Sequence, residues 1–183
     1  MKRVLRILTI MIVAGSFGGG GTVLADASSL KPFFGTYEGA SLAPSAEAQP
    51  RDLKVYIKAA ADDGFSVAWQ TTIYGDDDPH RKTQSLEFRP SKNNPNVYQA
   101  LPTGLSVGMV PSRDPLDGAP FAWARVLGKV LSVNVLTITK QGDYVIQTYD
   151  RALTPGGMTL SFARVRNGSV EKRLLGSLER IGD

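Results

Sequence analysis

The chain has 183 residues, 42% hydrophobic and 21% charged, which is enough to bury one sizeable core. It contains no cysteine, which excludes disulfide stapling and the lipid attachment of an exported lipoprotein. Its 21 Lys+Arg against 17 Asp+Glu suggest a basic protein, but Lys2, Arg3 and Arg6 belong to a leader; the remaining 18 against 17 exclude a general binder of nucleic acid or anionic membranes.

Those three basic residues are followed by ILTIMIVAG and then by two small-residue cleavage patterns, Val23-Leu24-Ala25 and Ala25-Asp26-Ala27. This order is that of a secretory signal peptide. The apolar core from Leu5 to Gly15 is shorter than the roughly 20 residues that span a bilayer, and the run Gly18 to Gly21 breaks it. Residues 1–25 are therefore expected to be removed on export, leaving residues 26–183 as a single domain in the periplasm or outside the cell.

From about Arg51 onward, apolar residues recur at every second position, the spacing that lines one face of a half-buried strand. LKVYIKA (53–59) aligns Leu53, Val55 and Ile57, and FSVAWQTTIY (65–74) aligns Phe65, Val67, Trp69, Thr71 and Ile73; the turn at 61–64 makes them a hairpin. TQSLEFR (83–89) and VYQAL (97–101) follow, separated by Pro90 and KNNPN. FAWARVLG (121–128) and KVLSVNVLTITK (129–140) turn at Leu127-Gly128, and YVIQTYDRAL (144–153) and MTLSFARVR (158–166) come next, each after a glycine turn. In SVEKRLLGSLERI (169–181), Val170, Leu174, Leu175 and Leu178 lie near helical spacing, but Gly176 and the hairpin-forming Asn167-Gly168 favour a strand. With Phe33 to Ser41 this makes about nine strands. Tight turns pair neighbours, and a long meander hides its edges by curling shut, so the fold expected is an antiparallel up-and-down β-barrel of about 8–10 strands. A two-sheet sandwich is the competing arrangement.

Residues 33–39 read FFGTYEG. Gly35 and Gly39 bracket Thr36-Tyr37-Glu38, and glycine in a strand permits a sharp bend or the close approach of another backbone. Gly35-Thr36-Tyr37 resembles the first-strand signature of the calycins, the lipocalin-like barrels, in which an aromatic two residues after a glycine plugs the closed end. The resemblance implies structural closure of the barrel by Gly35, Tyr37 and Gly39, with an arginine from a late strand over the aromatic. Arg164, Arg166 and Arg180 are the candidates. The aromatic of that family is normally tryptophan, and here it is tyrosine.

The residues offer little for catalysis. GDDDPHRK gathers Asp76, Asp77, Asp78 and the sole histidine, His80, without EF-hand spacing and without the further nitrogen or sulfur ligands that zinc requires; it reads as a solvated turn. A serine nucleophile lacks its G-x-S-x-G setting and a candidate base, and no glycine-rich loop precedes a helix to hold phosphate. No catalytic residue, metal ligand or cofactor is assigned.

Binding is the better reading. Small closed barrels often keep room for one ligand. Phe65, Trp69, Phe88, Trp123, Tyr149 and Phe162 would line either a cavity or a filled core. FAWARV places Phe121, Trp123 and Arg125 on one face, where an arginine among bulky apolar groups must reach water, a carboxylate or a ligand. The ligand-binding candidates are Trp69, Phe88, Trp123, Arg125 and Tyr149, and the expected partner is a small apolar or amphipathic molecule. One alternative is an envelope-protein interaction or inhibitor module using loop 104–118, which carries Leu105, Val107, Met109 and Val110. Another is an outer-membrane barrel, against which stand Lys54, Lys58, Gln70, Glu87, Gln147 and Arg173 on the faces opposite the bulky residues.

Overall fold

A computed structural model describes residues 29–42, 51–75, 78–102 and 114–183. Residues 1–25, Asp76, Asp77 and most of loop 104–118, all of which figure in the sequence reading, lie outside the described residues. A 3-10 turn, Lys31–Phe33, leads into ten strands: β1 (Gly35–Leu42), β2 (Arg51–Ala59), β3 (Phe65–Ile73), β4 (His80–Ser91), β5 (Asn94–Ala100), β6 (Phe121–Leu127), β7 (Val130–Ile138), β8 (Tyr144–Thr154), β9 (Gly157–Arg166) and β10 (Ser169–Gly182). Each strand pairs antiparallel with its chain neighbours, and β1 also pairs with β10, so the sheet closes as an up-and-down barrel without crossovers. The count is one above the nine expected, and the segment with near-helical spacing is the long strand β10. Pro90 lies within β4 rather than in a connection; the register shift between Pro90 and Ser91 accommodates a residue that cannot donate to the ladder.

Alternation determines which side chains enter the barrel. Leu53, Val55 and Ile57 of β2 and Phe65, Val67 and Trp69 of β3 are buried, while the residues between them are less so. The same parity holds for β7, where Leu131, Val133 and Val135 are buried. In β6 the sequence reading must be corrected. Ala122, Ala124 and Val126 face inward, and the bulky Phe121 and Trp123, with exposed Arg125, face outward. Ala122, Ala124 and Val126 belong to the same buried core as the large aromatic and aliphatic side chains of the other strands, and narrow barrels combine small and large inward residues in this way.

The end carrying the 3-10 turn is closed. Phe33 and Tyr37 are both fully buried, and the Tyr37 hydroxyl donates to the Phe33 carbonyl at 2.9 Å. Arg180 of β10 lies over the Tyr37 ring, 4.9 Å from its centroid, while Nη1 donates to the Phe34 carbonyl at 2.5 Å and Nη2 to that of Pro32 at 2.6 Å. Burial raises the Tyr37 phenol above its ordinary pKa, with Arg180 opposing the rise. Phe65 stacks on Phe88 at 4.9 Å and meets Tyr98 edge-on at 5.1 Å, extending the aromatic layer. Gly35 has φ +144°, and a Cβ there would lie 2.9 Å from the Gly182 carbonyl; at Gly39 it would collide with the Ser177 backbone.

Two variants test this closure by urea denaturation. Tyr37→Ala removes a fully buried aromatic and its hydrogen bond, so a loss of about 3 to 5 kcal/mol is expected. Gly39→Val forces the β1–β10 seam apart and should lower the midpoint well beyond the roughly 0.5 kcal/mol scatter of harmless surface changes. Two variants indistinguishable from wild type would show that neither residue holds the barrel shut.

Candidate functional site

The other end of the barrel opens into a cavity of about 280 Å³. Its inner part is lined by Val55 of β2, Trp69 of β3, Tyr149 and Arg151 of β8, and Leu160 and Phe162 of β9. These residues are brought together by register: Val55 lies opposite Trp69, Tyr149 opposite Phe162, and Arg151 opposite Leu160. Tyr149 links the aromatic wall, 5.1 Å from Trp69 and 4.8 Å from Phe162 between ring centroids. Its hydroxyl donates to Gln147 Oε1 at 3.2 Å, so Gln147 turns into the cavity and not onto the outer polar face where the sequence reading set it.

Arg151 is the unusual member. It is 0% exposed, and its guanidinium carbon lies 5.5 Å from the Trp69 ring centroid and 5.7 Å from that of Tyr149. Its one hydrogen bond is long, from Nη1 to the Tyr149 carbonyl at 3.5 Å, and Nε and Nη2 meet no acceptor among the described residues. The nearest carboxylate in sequence, Asp150, alternates outward and accepts from Ser132 Oγ at 2.6 Å. Burial lowers the Arg151 pKa from 12.5 to about 10, so the group is still cationic at neutral pH.

The mouth is also basic. Arg51, Lys82, Arg164 and Lys172 line it, with Lys172 directly opposite Arg164 on neighbouring strands. Partial burial, followed by the positive charges of Arg51, Lys82 and Arg164, holds Lys172 below the ordinary lysine range. Glu171 is the acidic group beside this rim. It forms ion pairs with Arg166 and with Arg164, the latter 2.8 Å from Nε but off the N–H direction, and hydrogen bonding from Arg166 holds its carboxyl below the usual range.

Of the five residues singled out from sequence, Trp69 and Tyr149 meet at the cavity. Phe88 is buried against Phe65 in the closed half, and Trp123 and Arg125 lie on the outer surface, Trp123 beside Phe121 at 5.8 Å. Arg151 and the basic rim are not among those five. The signal was present: Arg151 shares strand parity with Tyr149, and the argument that an arginine on an inward face needs a partner applied there rather than at Arg125. Among the described residues no group of three or more His, Asp or Glu side chains is placed to hold a metal ion. The sequence matches no known protein-family model and no curated protein.

Burial raises the Tyr149 phenol from 10.0 to about 12 despite the lowering effects of Arg151 and Arg164. The unfolded chain therefore loses this proton before the folded one, and the associated stability is whole below pH about 10 and fades as pH rises toward about 12. Urea midpoints at pH about 8 and about 11.5 for wild type and Tyr149→Phe check this; wild type should lose stability relative to the variant at the higher pH. An unchanged difference would place the phenol in water.

Proposed function

We propose that this protein is an exported binding protein that holds a small apolar or amphipathic molecule inside a lipocalin-like barrel. The observation that carries the reading is the 280 Å³ cavity, with an aromatic wall and polar groups at defined positions, in a barrel whose opposite end is filled by Tyr37 and Phe33. Sites for small ligands have this combination of concavity, apolar lining and a few convergent polar side chains. Tyr37, covered by Arg180, also supports kinship with the calycins, since it supplies the arginine that the family pattern requires.

The outer surface favours a protein that works in water. Lys54, Lys58, Glu87, Arg125 and Arg173 project outward around a core of aliphatic and aromatic side chains. Outer-membrane barrels have the reverse arrangement, an apolar outer band around a polar interior. The leader supports export, and the cavity with its aromatic wall supports binding over a loop-mediated inhibitor role.

Native mass spectrometry of protein recovered from its own cell envelope tests the reading. Wild type should carry a co-purifying small molecule, and Leu174→Trp, which places an indole at the mouth, should yield folded protein without it. A bare wild-type chain, or equal loading of the two proteins, would overturn the assignment.

A further inference from the structure

A charged group in a barrel interior ordinarily finds a counter-charge, because moving an ion out of water costs several kcal/mol even after the surroundings relax. Arg151 has none. It is wholly buried, its Nε and Nη2 are without acceptors, and it borders the inner part of the cavity with its guanidinium near two aromatic rings. Two unused N–H directions on a planar fork suit a carboxylate, phosphate or sulfonate oxygen pair. Trp69 and Tyr149 stand beside that fork, and Leu160, Val55 and Phe162 supply apolar wall.

We propose that the cavity is an anion site, in which a small organic monoanion enters head first and its charged group docks on Arg151. This inference rests on the binding function proposed above and specifies the ligand's chemistry and orientation. Size restricts the ligand further: 280 Å³ corresponds to about nine water volumes of roughly 30 Å³ each, so an anion of about ten non-hydrogen atoms fits. The ring of Arg51, Lys82, Arg164 and Lys172 draws such an anion toward the mouth. The ring cannot be its final station, because those side chains reach solvent and Arg164 already has Glu171, whereas Arg151 is wholly buried and, among the described residues, has no ion-pair partner. The surrounding barrel tolerates the unpaired cation because two aromatic faces partly offset its lost hydration.

The test uses octanoate and 1-octanol, which have the same chain length and differ in charge, titrated into the mature protein near pH 7.5 (about the range where Arg151 is cationic). Calorimetry gives the affinities, and Trp69 fluorescence in a Trp123→Phe background reports on the inner wall, since Trp69 is then the sole indole. Wild type should bind octanoate at least about tenfold more tightly than octanol, a difference of about 1.4 kcal/mol. Arg151→Met should erase that preference while still binding octanol, and Lys82→Gln with Lys172→Gln should slow association but keep it. Equal binding of both probes by wild type would overturn the anion site and leave the cavity function standing. Binding of neither would remove the cavity function itself. A preference that survives Arg151→Met but disappears with the two lysines would move the site to the rim and refute docking on Arg151. The wild-type comparison decides the charge question even if a variant fails to fold.

Discussion

The guanidinium of Arg180 holds the carbonyls of Pro32 and Phe34 while its face covers the ring of Tyr37, and this one side chain joins the last strand to the turn before the first. Closure by β1–β10 pairing makes a cylinder; closure by Arg180 and Tyr37 gives the cylinder a floor. The interior becomes a one-ended space only because of that floor. Its residues divide accordingly, with aromatic and aliphatic layers near the floor, Arg151 and its aromatic neighbours in the middle and cations at the mouth. Charge increases toward solvent, as desolvation requires, with Arg151 as the exception.

That exception gains meaning from the absence of other sources of stability. The chain has no cysteine, so the barrel stands on burial and on its hydrogen-bonded ladder. A buried cation without a carboxylate works against both. Natural sequences break such local rules chiefly at sites where function requires it, which is why Arg151 stands out from the mouth residues that merely line a solvated rim.

Most of the architecture was legible in the sequence because the barrel follows from two simple features, the period-two spacing and the turn residues between strands. Gly64, Gly128, Gly142 and Gly168 all fall between paired strands, the last three with positive φ. β10 was harder to read, since Leu174 and Leu178 have helical spacing, but in a strand the same two residues share the inward face. The site was less legible for a physical reason. Alternation separates two faces but does not say which one is inside, and the usual guide, that the bulkier face is buried, fails in β6, where the inner residues are two alanines and a valine. Because β6 is inverted, Arg125 lies at the surface, and the arginine on an inward face is Arg151. Residues from β2, β3, β8 and β9 then meet in the cavity through the curvature of the closed sheet, which no local spacing encodes.

The Arg180 clamp also has a consequence in time. It joins residues 146 and 148 positions apart, so it forms only when nearly the whole meander is in place. Local hairpins such as β2–β3 and β7–β8 can assemble early, but contacts of such long range carry the loop-closure entropy that slows β folding. Until the seam forms, β1 and β10 each present an unpaired edge to any other strand nearby. The order of assembly is therefore written into the topology, with hairpins first and the floor last. The interval before sealing is when the chain is most exposed to joining a neighbour instead of itself.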